Sequence, residues 1–191
     1  MKFDHKIHNR RSIRSQRYDY SCSGAYYVTI VTYGRECLFG EIKNGATQFS
    51  DMGRIAYENW RAIPEHSPQV ELGEFVIMPN HVHGIIVTQG EHIPVAPTPI
   101  APAHGNPIPV ARAEIKPNNG LKRGSIGAIN GAYKMSVTRR SQAELDGANI
   151  WQRNYFEHII RNDDEHSRFQ FYIESNPINW EEDKENPEKK Q

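Results

Sequence analysis

Three runs of apolar, β-branched and aromatic residues along the chain predict buried β-strands. Residues 25–32 read AYYVTIVT, residues 70–78 read VELGEFVIM, and residues 81–88 read HVHGIIVT. The dipeptide Pro79-Asn80 separates the second run from the third, which predicts a hairpin. Residues 151–160, WQRNYFEHII, mix polar with aromatic side chains and predict a fourth strand.

Apolar positions recur at helical spacing in three other segments. Residues 48–63 predict a helix that Ser50 or Gln48 can cap and that Pro64 ends. Residues 125–140 predict a second helix. A third runs from residue 163 to about 175, with acidic side chains at the N-terminal end, where the helix dipole favours them.

The predicted elements follow the order strand, helix, strand, strand, helix, strand, helix. A loop that contains Gly34 and Gly40 joins the first strand to the first helix. Strands interleaved with helices around a central hairpin predict an α+β fold of the ferredoxin-like kind. We expect a mainly antiparallel sheet with the helices packed on one face.

The chain has 191 residues, which fits one domain. Three segments differ from it in composition: a basic N-terminal arm (1–20), an insertion rich in proline (89–120) and an acidic C-terminal tail (181–191). Because proline cannot donate regular ladder bonds, we expect the insertion to be extended and mobile. No run approaches the ~20 apolar residues of a membrane helix. The N-terminus lacks the apolar region of a secretory signal, which predicts a cytoplasmic protein.

The net charge is zero, but the charges are unevenly distributed. Residues 1–18 and 111–140 are rich in lysine and arginine and hold one acidic residue each, whereas the compensating acids collect near the C-terminus. Local potential steers a polyanion, so this pattern favours a nucleic-acid partner. The two basic segments include Arg10, Arg11, Arg14, Arg17, Lys122, Arg123, Lys134, Arg139 and Arg140.

The third strand run begins with two histidines separated by one residue, His81 and His83. Side chains alternate faces along a strand, so both imidazoles point to the same side, with backbones about 7 Å apart. Two imidazoles placed in this way can converge on one divalent metal. A metal paired with a nucleophile from elsewhere in the chain is suited to cutting a phosphodiester.

The predicted last helix offers such a nucleophile. Tyr172 and Asn176 lie four positions apart and therefore share a helix face. A phenol has a pKa near 10, so it is a weak nucleophile at neutral pH until a metal or base activates it. Tyr155 is the rival nucleophile, and we interpret it as structural or DNA-facing.

The segment Met78-Pro79-Asn80-His81-Val82-His83-Gly84 resembles the histidine–hydrophobe–histidine (HUH) motif of single-tyrosine transposases. The chain resembles in particular the REP-associated tyrosine transposases, relatives of small insertion-sequence transposases. Three further blocks support this in family order: residues 18–29 are similar to the opening strand, 151–162 to a late segment, and 172–177 to the helix with the nucleophile. The resemblance covers about residues 10–180, without the proline-rich insertion.

This resemblance implies a single HUH-type catalytic domain that acts as a metal-dependent transposase, a DNA strand transferase and endonuclease. Tyr172 matches the nucleophile, which would attack single-stranded DNA at hairpin-forming repeats and form a 5′-phosphotyrosine. His81 and His83 match the metal ligands, and Asn176 matches the third ligand. The implied cofactor is Mg²⁺ or Mn²⁺, although imidazole ligands also suit Zn²⁺. The implied partners are single-stranded and hairpin DNA but no membrane, with the chain as a monomer or a homodimer. The DNA would be held by basic residues of the arm and of the predicted second helix with the residues before it: Arg10, Arg11, Arg14, Arg17, Lys122, Arg123, Lys134, Arg139 and Arg140.

Three other functions stay open at this level. A non-catalytic DNA-binding protein that recognises structured repeats would bind hairpins without cleaving them. A replication or conjugation initiator would share the histidine motif, although the chain has no Walker-type Gly-Lys-Ser/Thr sequence. A metal hydrolase that uses water would leave no covalent protein–DNA adduct.

Overall fold

The computed structural model describes residues 23–89, 124–144 and 149–190, and all statements below concern these residues. Four strands form the main sheet and two form a separate hairpin, with four α-helices around them. In chain order the elements are β1 (Gly24–Val31), β2 (Gly40–Lys43), β3 (Ala46–Phe49), α1 (Asp51–Arg61), α2 (Ile63–His66), β4 (Val70–Met78), β5 (His81–Thr88), α3 (Ile126–Glu144), β6 (Phe156–Ile160) and α4 (Asp163–Ser175). Short 3₁₀ turns lie at Tyr33–Arg35, Trp180–Glu182 and Pro187–Lys190.

The main sheet has the strand order β4-β5-β1-β6, and every neighbouring pair is antiparallel. Helices α1 and α3 connect strands that are not neighbours, β1 to β4 and β5 to β6. This is the ferredoxin-like arrangement, and the predicted α+β fold is confirmed. The strands β4 and β5 have the bounds that the apolar pattern predicted.

The helices lie on both faces of the sheet, not on one. Helices α1 and α3 pack with alternate residues of the strands, among them Val28, Val82 and Ile86, in the larger core cluster. Helix α4 contributes Ile173 to a smaller cluster on the opposite face, with Tyr27 and Ile85. Because β5 is buried along almost its whole length, both of its faces need cover. The expectation of helices on one face therefore holds for α1 and α3 but is wrong for α4.

The glycine after the histidine pair has a packing role. A Cβ atom added to Gly84 would lie 2.3 Å from Cζ2 of Trp60, which belongs to α1 and is fully buried. Gly84 is on the same face of β5 as Val82, away from the histidines. Because glycine has no side chain, the indole of Trp60 can pack directly against β5 there. The motif therefore shapes the core on one face and the candidate site on the other.

Three segments differ from their prediction. The expected loop before α1 contains the β2–β3 hairpin, whose Asn44 and Gly45 both have positive φ, the geometry of the tight Asn-Gly turn. The first helix ends at Arg61, and Pro64 lies inside α2 at its first turn, where proline is tolerated. The fourth strand begins only at Phe156; before it, Trp151 makes one isolated bridge with Thr32. None of the described helices has the length and apolar character needed to cross a membrane.

Candidate active site

The two histidines of β5 lie side by side in the interior, under helix α4. Their side chains are fully buried, and their ring centroids are 4.3 Å apart. Strand alternation directs both away from Trp60 and toward α4. The spatial neighbourhood predicted from their spacing is therefore present in the structure.

The ring of His81 is oriented by the turn that precedes it. Its Nδ1 atom lies 2.8 Å from Oδ1 of Asn80. The Nδ2 atom of Asn80 donates to the carbonyl oxygens of Arg35, at 3.0 Å, and Glu185, at 2.8 Å, so Oδ1 must be the accepting end of the amide. His81 Nδ1 therefore carries the proton, and Nε2 keeps its lone pair. That Nε2 atom is buried and has no hydrogen-bond partner.

Strand β1 orients His83 in the same way. The register places Thr29 directly opposite His83. The Nδ1 atom of His83 lies 2.9 Å from Thr29 Oγ1 and 2.7 Å from the hydroxyl of Tyr27, whose ring also stacks on the imidazole. Its Nε2 atom is likewise buried without a partner. Both histidines thus hold Nδ1 in the protein and direct Nε2 into the site, as metal-ligating histidines do.

Burial keeps both rings neutral at neutral pH. It lowers the pKa of His81 to about 4, although the nearby carboxylate of Asp183 opposes the shift. Burial, followed by the proximity of His81, also lowers the pKa of His83 well below its ordinary value. The neutral imidazole is the form that binds a metal.

Tyr172 reaches the histidines from α4. Its ring centroid lies 5.3 Å from that of His83 and 6.2 Å from that of Tyr27. Its hydroxyl donates to Oδ2 of Asp183 at 3.4 Å. Burial, with the negative charge of Asp183 as the next cause, raises the pKa of Tyr172 to about 12, so the phenol is protonated at neutral pH. The side chain is still 36% exposed, which leaves it open to a substrate.

Asn176 caps the end of α4, one turn after Tyr172, and is buried. Its Nδ2 atom donates to Oδ2 of Asp183 at 3.0 Å, so the amide is held by its nitrogen. Its Oδ1 atom is buried without a partner. The free end of the amide is therefore the oxygen, which is the end that can bind a cation.

Asp183 is a site residue that the sequence analysis assigned to the acidic tail. One ligand atom from each of His81, His83 and Asp183 lies within 4.8 Å of the other two, and all three residues are buried. The 3₁₀ turn at Trp180–Glu182 reverses the chain after α4, and Arg35 anchors the returning segment through an ion pair of 3.1 Å with Glu185. No spacing rule links residue 183 to the histidines, so the sequence held no signal for this contact.

The residues present fit one divalent cation. They offer two imidazole nitrogens, an amide oxygen and a carboxylate oxygen, and three of these four donors are buried atoms without a hydrogen-bond partner. A buried polar atom without a partner costs about 1–3 kcal/mol, and a shared cation removes that cost for several donors at once. This His-His-Asp group is the one candidate metal cluster within the described ranges.

The rival nucleophile Tyr155 does not join this site. It packs against the larger cluster, on the face formed with α1 and α3. Among the residues predicted to bind DNA, Lys134 donates from Nζ to the carbonyl oxygens of Gln152, at 2.9 Å, and Asn154, at 2.6 Å. Burial lowers the pKa of Lys134 to about 8. Its ammonium therefore holds the segment before β6.

The other predicted DNA contacts divide into two groups. Arg139 and Arg140 are exposed near the C-terminal end of α3, and Arg140 forms an ion pair of 2.6 Å with Glu58 of α1. The remaining six lie outside the described residues, as does the whole basic arm: Arg10, Arg11, Arg14, Arg17, Lys122 and Arg123.

Comparison with known proteins finds a relative in sequence and several similar solved structures. A protein of Haemophilus influenzae strain Rd, described as uncharacterized, is 39% identical over 182 residues, which cover 95% of this chain and 96% of that protein. No protein-family model matches the chain. The structure of a REP-associated tyrosine transposase bound to a REP hairpin aligns with a TM-score of 0.56 and 17% identity, over 88% of this chain and 74% of that chain.

A crystal structure described as a candidate transposase from Deinococcus radiodurans R1 aligns with a TM-score of 0.44 and 16% identity, over 85% of this chain and 96% of that chain, a value too low for a common fold to be inferred. The sequence resemblance is thus matched in three dimensions by the first structure. The chain therefore belongs to one family with the Haemophilus influenzae protein, and its fold is that of a REP-associated tyrosine transposase.

Proposed function

We propose that the chain is a metal-dependent tyrosine transposase that cleaves and rejoins single-stranded DNA at hairpin-forming repeats. One observation carries the proposal: the phenol of Tyr172 converges with the partnerless Nε2 atoms of His81 and His83, although the residues lie far apart in the sequence. The shared fold with a hairpin-bound transposase supports hairpin DNA as the substrate.

In the proposed reaction, Oη of Tyr172 attacks the phosphorus of a phosphodiester. The bond from phosphorus to the 3′ oxygen breaks, which leaves a free 3′-hydroxyl and a 5′-phosphotyrosine. Asp183 is the nearest acceptor for the hydrogen of the phenol. A second 3′-hydroxyl then attacks the phosphotyrosine and restores both a phosphodiester and the free phenol, so rejoining needs no external energy source.

A divalent cation would be held by His81, His83 and Asn176, with Asp183 completing the donor set. The proposed cation is Mg²⁺ or Mn²⁺. When bound, it supplies positive charge that polarises the phosphate and favours the phenolate form of the nucleophile. The chain itself contributes the Nδ1 contacts that direct both Nε2 atoms inward and the contacts to Asp183 that orient Tyr172 and Asn176.

The direct test is covalent capture. Wild-type protein and Tyr172→Phe are incubated with Mn²⁺ and an end-labelled oligonucleotide that carries a hairpin and a single-stranded flank. We expect a protein–DNA adduct on a denaturing gel for wild type and none for Tyr172→Phe. Tyr155→Phe is the matched control and should keep the adduct, because Tyr155 packs on the other face of the sheet.

An adduct that persists in Tyr172→Phe would contradict the assignment of the nucleophile. Hairpin binding without an adduct under any metal would instead support the non-catalytic alternative. Chelation by EDTA should abolish the adduct but not hairpin binding, because the basic residues contact phosphates without a metal.

A further inference from the structure

An exposed aromatic side chain lies beside the candidate active site and has no role in it so far. Phe156 begins β6, an edge strand of the main sheet, and is 44% exposed. The register places it opposite Thr29, the residue that contacts His83, so Phe156 faces the same side as the histidines.

Phe156 is joined to the nucleophile by one buried ring. Tyr27 meets Phe156 edge to face, with centroids 6.4 Å apart and an interplanar angle of 68°. The same Tyr27 meets Tyr172 edge to face, with centroids 6.2 Å apart and an angle of 76°. Phe156 and Tyr172 therefore flank Tyr27 at the surface, and a chain that lies across the site contacts both.

A cation accompanies this ring. The Nζ atom of Lys184 lies 5.9 Å from the centroid of Phe156, and the side chain is exposed. Its backbone is anchored, because the carbonyl oxygen of Lys184 accepts a hydrogen bond from Arg35 at 3.0 Å. Lys184 also directly follows Asp183, whose carboxylate lies within 4.8 Å of a ligand atom of each histidine. The charge thus lies near the atoms where a scissile phosphate would bind.

We propose that Phe156 and Lys184 form a subsite for an unpaired nucleotide next to the scissile phosphate, an inference that rests on the proposed function. Phe156 stacks on the base, and Lys184 pairs with the adjoining phosphate. Isolated exposed aromatics are common on protein surfaces. Here, however, the π-face and the positive charge lie together beside the nucleophile, and these two features match the two parts of a single-stranded nucleotide. Because every base has a π-face, the subsite tolerates sequence variation.

The first experiment measures stacking without catalysis. In the Tyr172→Phe background, single-stranded flanks of a hairpin oligonucleotide carry one 2-aminopurine, moved one position at a time. We expect strong quenching of its fluorescence at one position. Phe156→Leu should abolish that quenching and weaken binding about five- to a hundredfold, the range of base–aromatic stacking. Phe156→Tyr should retain both, which excludes misfolding as the cause.

Phe171→Ala is the matched control, since Phe171 is 71% exposed on α4 and should leave the quenching unchanged. Lys184→Ala should weaken binding and reduce the slope of log affinity against log salt by about 0.7, the value for one single-strand phosphate. Quenching that is equal in the Tyr172→Phe parent and in its Phe156→Leu and Phe156→Tyr derivatives would overturn the subsite.

The second experiment uses the wild-type background and an abasic nucleotide at the quenched position. Removing the base should lower adduct formation as much as Phe156→Leu does on the intact oligonucleotide, and combining the two changes should add nothing. Additive losses would overturn the subsite even if adducts form. Phe156-dependent quenching without any adduct would instead retain the subsite and reject the proposed cleavage.

Discussion

At the residue scale, the site is defined by which atom of each side chain is already hydrogen-bonded within the protein and which atom is not. Nδ1 of His81 is hydrogen-bonded to Asn80, and Nδ1 of His83 is hydrogen-bonded to the hydroxyls of Tyr27 and Thr29. The nitrogen of the Asn176 amide donates a hydrogen bond to Asp183. In each case the atom that remains points into one common space, so ordinary side chains become a directed set of donors.

Tyr27→Phe should weaken metal binding and spare the fold. The change removes the hydroxyl that lies 2.7 Å from His83 Nδ1 and keeps the ring that stacks between His83 and Phe169. Loss of such an orienting contact typically costs about 10- to 100-fold in metal affinity. Isothermal titration with Mn²⁺ measures the change.

Tyr133→Phe provides the control for that variant. The Tyr133 hydroxyl donates to the carbonyl of Ala56 at 3.2 Å, on the opposite face of the sheet. This change should cost about 1 kcal/mol in the free energy of unfolding and leave Mn²⁺ affinity unchanged. If Tyr27→Phe and Tyr133→Phe bind Mn²⁺ equally well, the hydroxyl of Tyr27 does not orient His83.

At the scale of elements, α4 and the turn after it complete the site. At the start of the helix, the N-cap Asn162 accepts from the Glu165 amide at 2.8 Å, and Glu165 accepts from the amide of Arg161, the residue before the cap, at 2.9 Å. Burial of Ile173 then sets the rotation of the helix, which directs Tyr172 and Asn176 toward β5. The returning segment adds Asp183, so the site depends on a chain reversal as well as on the helix.

Asp183→Asn tests that segment. An asparagine oxygen can still accept from Asn176, so the change removes the charge and preserves the orienting contact. We expect Mn²⁺ affinity to fall at least about tenfold, because an anionic ligand becomes a neutral one. Glu181→Gln is the control, since it removes an equal charge from an exposed position in the same turn. Equal affinity in the two variants would exclude Asp183 from the donor set.

At the scale of the whole molecule, the buried histidines make the stability of the metal-free protein depend on pH. Above about pH 6.5 the folded and unfolded chains both hold these rings neutral. Below that pH, the histidine is protonated in the unfolded chain, whereas His81 of the folded protein stays neutral until the pH approaches its lowered pKa of about 4. The contribution of His81 to the free energy of unfolding is therefore fully present above about pH 6.5. It falls by about 3 kcal/mol as the pH is lowered toward 4.

Urea unfolding in EDTA at several pH values between 7.5 and 4.5 measures this effect. Carboxylates also titrate near pH 4, so the informative quantity is the difference between wild type and the His81→Gln, His83→Gln double variant. The double variant should lose less stability over the same range. Parallel curves for the two proteins would show that the histidines are not held neutral by burial.

The sequence predicted those features that depend on local periodicity. The alternation of a strand places His81 and His83 on one face, and the helical repeat places Tyr172 and Asn176 on one face, wherever those elements pack. The apolar runs likewise predicted the bounds of β4 and β5, because the turn residues Pro79 and Asn80 interrupt the run between them. The β2–β3 hairpin was missed although its Asn44-Gly45 turn is a local signal.

Contacts between residues that are far apart in the sequence were decided only by the tertiary structure. The register of β1 against β5 brings Tyr27 and Thr29 to His83, and the reversal after α4 brings Asp183 to the same space. Lys134 donates to backbone carbonyls that follow it by some twenty residues, and its contact with DNA stays a prediction. Residue types and spacings determine which face a side chain occupies, whereas the partner of that face depends on long-range packing, which no local pattern encodes.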